Sequence, residues 1–228
     1  MHGRQPGIGG CRVRACRGDW SRRLDSLHVR DYFRNMSLTN PYGDFEIIDP
    51  KAMRALAHPT RLAALSHLQR HGPATATQLS EVVGASPSVT SWHLRHLASF
   101  GLVKEWEGGT DARQRWWQAA ARGFRFDLPA GDEGRAAYQA LRSELFNAGL
   151  NQARAWLVEV APGLDDTWMA QSEGTNTRLM VTPEELGELR GRIEELLAPF
   201  LASTRDPQPG AQGVRMLRFS LPEAEDSP

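Results

Sequence analysis

Two helix signals separated by a very short turn most constrain the fold of this chain. Thr75, followed three residues later by Gln78, is a capping-box pattern that opens one helix, and Gly84 closes that helix. Shortly afterwards, Ser86 can cap another helix and Pro87 can occupy its first position. Two helices joined by a turn of about four residues that contains glycine are the sequence form of a helix-turn-helix.

Two further helices are predicted on the N-terminal side of this pair. Asp49 followed by Pro50 is a cap and first-turn pair that opens a short helix through Ala57. Another helix begins at Pro59 and ends before the turn at residues 72–73. The apolar residues expected to face a common core from the second and third helices are Leu62, Leu65, Leu68, Leu79, Val82 and Val83.

A β-hairpin is predicted after the fourth helix. Residues 102–106 and residues 113–118 are rich in valine and tryptophan that alternate with polar residues, and residues 108–111 supply the turn. Successive side chains of a strand point to opposite faces, so Trp116 and Trp117 are expected to diverge, one of them into the core. A hairpin that follows a helix-turn-helix in this way is expected to act as a wing.

The C-terminal part of the chain is predicted to be mainly helical. A long helix is expected over residues 135–160, and a final helix begins at a capping box formed by Thr182 and Glu185. The apolar faces of these helices are Tyr138, Leu141, Leu145, Ala148, Trp156 and Val160, then Leu186, Leu189, Ile193, Leu196 and Phe200. Short strands are expected around Trp168, at 179–181 and at 214–221. The predicted fold class is α+β, mainly α.

Three stretches of different charge define the predicted domains. Residues 1–36 hold 8 basic and 3 acidic residues without a sustained hydrophobic period, and a disordered basic leader is expected there, or alternatively an arm that touches DNA phosphates. Residues 37–128, the predicted winged domain, hold 10 basic and 8 acidic residues. Residues 129–228, a predicted dimerisation or effector region, hold 9 basic and 16 acidic residues. The front of the molecule can therefore face a polyanion, whereas the back cannot.

The fourth helix has an apolar side and a polar side. Thr90, Leu94 and Leu97 recur on one face and are expected to anchor the helix to the two helices before it. A helix of this size fits the major groove of DNA, which is roughly 12 Å wide. The polar side is therefore expected to face base pairs.

The candidate contacts with DNA follow from side-chain chemistry. Hydroxyls near the N-terminus of the fourth helix can donate hydrogen bonds to phosphates, and Arg95 can reach a phosphate or a guanine edge. The arginines beyond the glycine turn can contact the DNA backbone or the minor groove from the wing. The predicted DNA-binding residues are Ser86, Ser88, Val89, Ser91, Trp92, Arg95, Arg113 and Arg115.

Three segments of this chain together resemble the ArsR-type winged-helix repressors. They are residues 55–62 (ALAHPTRL), residues 86–97 (SPSVTSWHLRHL) and residues 101–103 (GLV). The resemblance covers about residues 48–120. It implies a homodimer on a palindromic operator, with the fourth helix as reader and the hairpin as wing. Many members of that family sense metals through a Cys-x-Cys pair in the third helix, and this chain has no cysteine there. The resemblance therefore favours DNA binding over metal sensing, and no metal or cofactor is expected.

Other classes of function have less support in the sequence. His67 and His71 lie four apart on one helix but have no third ligand at metal-site spacing. The chain has no HExxH, Walker, nucleophile-elbow or dinucleotide-binding motif, so an enzyme is not expected. Without an apolar run of membrane length, a cytoplasmic protein is predicted. A winged helix used only for protein interaction or assembly is the alternative, because the net charge of the winged region is only +2.

Overall fold

The computed structural model describes residues 44–109, 114–201 and 208–223, all within one unit, Ser37–Pro228. The predictions for the leader at 1–36 and for Arg113 lie outside the described residues. The helices and strands are β1 (Asp44–Ile47), α1 (Pro50–Leu56), α2 (Pro59–His71), β2 (Ala74–Thr75), α3 (Ala76–Val83), α4 (Pro87–Ala98), β3 (Val103–Glu105), β4 (Trp116–Ala119), β5 (Gly123–Phe126), α5 (Gly131–Ala155), α6 (Asp166–Gln171) and α7 (Pro183–Leu197). A π-helical turn, Trp156–Val160, continues α5.

The helices of the N-terminal half begin at the caps that the sequence predicts. The Asp49 side chain accepts a hydrogen bond from the backbone N–H of Lys51 at the start of α1. Thr75 and Gln78 form both hydrogen bonds of a capping box at the start of α3. Gly84 ends α3 in the left-handed conformation at φ 64°, which glycine adopts without the steric cost that a side chain brings. The predicted helix-turn-helix is therefore confirmed.

Two small sheets complete the N-terminal half. β4 lies between β2 and β3 and is antiparallel to both, with Val103 opposite Ala119 and Ala74 opposite Trp117. This is the sheet of a winged helix, and it confirms the predicted hairpin. β1 pairs in parallel with β5, with Asp44 opposite Gly123, a pairing that the sequence did not predict.

The core is continuous from the helix-turn-helix into α5. Leu62, Leu65 and Leu68 of α2 are buried as predicted, and Trp117 points inward while Trp116 is half-buried. Ala137 and Leu141 of α5 join the same core, because α5 packs against α1. The α+β, mainly α fold class is confirmed, and the domain division between 128 and 129 stays a prediction.

One prediction about the core of the N-terminal half is wrong. Val82 is 48% exposed, whereas Leu79 is buried and Val83 is half-buried. Residues four apart on a helix share a face, and a step of one residue rotates the side chain by about 100°. Leu79 and Val83 therefore share the inward face, and Val82 turns to solvent.

The C-terminal region has no strand in the part of the chain that the structure describes. Trp168 lies in α6, which begins where Asp165 accepts a hydrogen bond from the Trp168 N–H at 2.9 Å. Residues 179–181 and 214–221 lie in neither a helix nor a strand, so the three predicted strands are wrong. The predicted apolar faces of the helices are also only partly covered, since Val160, Leu196 and Phe200 are exposed.

A chain of ion pairs links segments that are far apart in sequence. The Asp44 carboxylate lies 2.7 Å from the Arg122 guanidinium and 3.0 Å from that of Arg125, which also donates to Glu194 of α7 at 2.7 Å. Arg218 of the C-terminal segment pairs with the other oxygen of Glu194. Burial alone would raise the pKa of Glu194, but the hydrogen bond from Arg218 and the charge of Arg125 hold that pKa below its ordinary value. This network ties β1, β5 and α7 together.

None of the helices in the described ranges combines the length and the apolar character needed to span a membrane.

Candidate nucleic-acid interface

The inner face of α4 is fully buried. Thr90, Leu94 and Leu97 each have 0% of their surface exposed, and α4 packs against α2 and α3. This confirms the predicted anchoring of the helix. Because the residues recur at three- and four-residue intervals, they fix the rotation of α4 about its axis and so determine which side chains face outward.

The outer face of α4 carries the predicted reading residues. Ser88, Trp92 and Arg95 are exposed, and Ser91 is half-buried. The guanidinium of Arg95 donates a hydrogen bond from Nη1 to the Ser91 hydroxyl oxygen at 2.7 Å. This bond restricts the arginine to one side of the helix and leaves its other N–H groups to hydrogen-bond elsewhere, which is the geometry that base readout uses.

The N-terminus of α4 presents two hydroxyls side by side. Ser86 is the N-cap residue, and its hydroxyl oxygen accepts a hydrogen bond from the Val89 N–H at 3.4 Å. The Ser86 and Ser88 hydroxyls lie 3.1 Å apart. Both residues are exposed at the positive end of the helix dipole, which favours an anionic group.

Trp92 is held in place by its neighbours on the helix. Its ring stacks on that of His96 with 5.5 Å between the centroids and 4° between the planes, and it meets His93 edge-on at 4.9 Å. The tryptophan nevertheless remains 52% exposed. The sequence predicted an outward Trp92 but gave no sign of the stack, although the four-residue spacing to His96 permits one.

The base of the wing is described, and its tip lies outside the described residues. The Arg115 guanidinium is exposed, 3.2 Å from a Glu105 carboxylate oxygen and 5.8 Å from the centre of the Trp117 ring. Gly109 packs under Trp116, where a Cβ atom would come within 2.2 Å of the ring. Arg115 therefore has partners within the hairpin, so its contact with a DNA phosphate stays a prediction.

Two buried basic side chains, His93 of α4 and Arg61 of α2, lie at the contacts between the helices. His93 is 7% exposed, and its ring lies 4.9 Å from that of His58, the N-cap residue of α2. Arg61 donates hydrogen bonds to the carbonyl oxygens of Ala55 and Arg54, and so ties the end of α1 to α2. The burial of His93 indicates that its ring packs inside the fold.

The same burial predicts how stability depends on pH. Desolvation by burial, followed by the charges of His58, Arg61 and His96, holds the pKa of His93 below its ordinary value of 6.5. The pKa of His58 is lowered by burial and by Arg61, against a smaller opposing effect of Glu144. An unfolded chain therefore takes up protons more readily than the folded one.

We expect the free energy of unfolding to stay constant above pH 6.5, where these histidines are neutral in both states. It should decrease as the pH falls below that value, because the unfolded chain then binds more protons. Urea unfolding at a series of pH values measures this decrease. In the variant His93→Gln the decrease should be shallower, because one buried titrating ring is absent. A wild-type stability that stayed constant or rose on acidification would contradict the prediction.

The described residues offer little for metal binding. Within residues 44–109, 114–201 and 208–223, no three side chains of His, Cys, Asp or Glu come together to hold an ion. The rings of His67 and His71 lie with their centroids 4.5 Å apart, and burial lowers the pKa of His67.

Comparison with known proteins supports the motif. A family model described as a helix-turn-helix domain matches residues 56–105, which include α2, α3, α4 and β3. A search of curated proteins gives no match.

Three solved structures illustrate the structural neighbours. A probable transcriptional regulator from Pseudomonas aeruginosa is 20% identical, covering 64% of this chain and 88% of that chain at a TM-score of 0.29. A MarR family regulator from Neisseria meningitidis is 18% identical, covering 62% and 80% at 0.26. A MarR family protein from Mycobacterium tuberculosis, solved with salicylic acid, is 16% identical, covering 64% and 85% at 0.26.

The family match and the geometry together indicate that residues 44–126 carry a winged helix-turn-helix domain of the kind found in DNA-binding regulators.

Proposed function

We propose that this protein is a sequence-specific, double-stranded-DNA-binding transcriptional regulator of the ArsR type, which acts as a homodimeric repressor by occupying a promoter. One observation carries the proposal. The inner face of α4 is completely buried, while its outer face presents Arg95 bonded to Ser91 beside exposed hydroxyls. A helix fixed in rotation with hydrogen-bonding groups outward suits the major groove, where base pairs differ in their donors and acceptors.

The polar residues of the predicted set have three roles in this proposal. Ser86 and Ser88 bind a phosphate at the start of α4, and Ser91 and Arg95 read base edges. The wing arginine Arg115 exchanges its partner Glu105 for a DNA phosphate, and Arg113 contacts the DNA backbone or the minor groove.

We propose a dimer because a single reading helix is too short to cover a whole operator. One such helix covers half of an operator, and a twofold axis brings two of them to grooves about 34 Å apart. The C-terminal end of α5 and the π-helical turn expose the apolar side chains of Leu150, Leu157, Val158 and Val160. We propose that this surface is the dimer interface, and light scattering that returned a monomer at micromolar concentration would contradict it.

Selection of bound fragments from random DNA at a defined salt concentration tests the proposed function. A regulator of this kind should enrich one sequence motif with an inverted repeat. If no motif is enriched, the protein-interaction alternative is favoured, because exposed apolar residues such as Val82 would then suit a protein partner.

Arg95→Ala should lower the affinity for the selected operator about tenfold and weaken the preference at one base pair, because one specific contact is lost. Arg115→Ala should instead lower the affinity for all sequences and reduce the slope of log affinity against log salt by about one. Fluorescence anisotropy at several salt concentrations separates the two effects.

Arg178→Ala is the matched control for both variants, since Arg178 is an exposed arginine paired with Glu223 in the C-terminal region. An unchanged preference in Arg95→Ala would refute the reading role of Arg95. An unchanged slope in Arg115→Ala would refute the wing contact.

A further inference from the structure

Two apolar side chains of α4 are exposed next to its polar residues. Val89 is 45% exposed and Trp92 is 52% exposed, and their spacing of three residues places them next to each other on the helix. Arg95, three residues after Trp92, is also exposed and adjoins the tryptophan on the outer side of the helix. Exposed apolar surface is unfavourable unless something covers it, so the pair is a candidate contact.

The patch is ordered before any ligand binds. The Trp92 ring packs against two neighbouring rings. It stacks on His96 and makes an edge contact with the buried His93. Val89 is β-branched, and in a helix its side chain has one strongly preferred rotamer. Binding to this surface therefore costs little side-chain entropy, which favours a specific contact.

The major groove offers one apolar group among its base edges. Guanine, cytosine and adenine present only hydrogen-bond donors and acceptors there, whereas thymine adds its C5-methyl group. An apolar pair on a reading helix therefore has one matching partner in unmodified DNA.

We propose that Val89 and Trp92 form a preordered apolar patch that reads thymine methyl groups, next to the base read by Arg95. The inference rests on the proposed function and adds the chemistry of its specificity. Each half-site should then contain one or two thymines whose methyl groups are buried against α4, adjacent to the position that Arg95 determines.

Replacement of thymine by deoxyuridine tests the proposal, because it removes the methyl group and leaves every hydrogen-bonding group in place. Each thymine of the selected half-site is replaced in turn, and affinity is measured by anisotropy. At one or two positions the wild-type protein should lose about fourfold in affinity, the ratio that corresponds to burial of one methyl group. In Val89→Ala the loss at one of these positions should disappear.

Val82→Ala is the matched control, since Val82 is a valine of similar exposure on α3. It should keep the full methyl dependence. Trp92→Ala, with its fold checked by circular dichroism, should abolish the dependence at the neighbouring position.

The outcomes separate the inference from the proposed function. A selected motif without thymine in the half-site, or one in which no deoxyuridine replacement weakens binding, overturns the methyl proposal while DNA binding stands. A methyl dependence that persists unchanged in both Val89→Ala and Trp92→Ala also overturns it. Failure to select any motif overturns the proposed function itself.

Discussion

Replacing Leu94 with alanine is expected to lower the free energy of unfolding by about 3 kcal/mol. Leu94 has 0% of its surface exposed and belongs to the one core that α2, α3 and α4 share. The loss combines the transfer free energy of the deleted atoms with the cavity that a tightly packed interior cannot close.

Chemical denaturation measures this change, and Leu157→Ala provides the control. Leu157 is 62% exposed in the π-helical turn, so its truncation in the monomer should change stability by at most about 0.5 kcal/mol. At a protein concentration low enough to suppress self-association, equal losses in the two variants would show that Leu94 does not anchor α4.

Replacing Asp44 with asparagine is expected to lower the free energy of unfolding by about 2 kcal/mol. The Asp44 side chain is 9% exposed and lies between the guanidinium groups of Arg122 and Arg125. The substitution removes the negative charge that both Arg122 and Arg125 contact at the junction of β1 and β5. The expected loss is smaller than the roughly 3–5 kcal/mol of a fully buried pair, because both arginines retain contact with solvent.

Glu223→Gln is the matched control for Asp44→Asn. It breaks the pair between Arg178 and Glu223, whose side chains are 68% and 64% exposed, so the expected change is within about 0.5 kcal/mol. If Asp44→Asn were as mild as this control, the ion-pair network would not hold β1 in place.

Gly123 of β5 packs closely against the Asp44 side chain of that network. A Cβ atom at Gly123 would come within 2.6 Å of the Asp44 carboxylate oxygen Oδ1. A side chain at this position would therefore displace the Asp44 carboxylate from its place in the ion-pair network.

The sequence by itself determined those features of this protein that depend on neighbouring residues. The caps at Asp49, Thr75 and Ser86, the break at Gly84 and the inward face of α4 were all predicted, because each depends on interactions within about four residues. The helix-turn-helix and the outward position of Arg95 follow from these features.

Only the tertiary structure decided what depends on residues far apart in the chain. The pairing of β1 with β5 joins two strands of four residues each. The sequence of neither strand indicates that it pairs with the other. The segment around Phe219 has the alternation of a strand, yet it pairs with no strand. The Phe219 ring lies over Gly149 of α5, with its centroid 4.7 Å from that of the Phe146 ring. Alternating polarity indicates that a segment has one apolar side. It does not indicate whether a strand or a helix packs against that side.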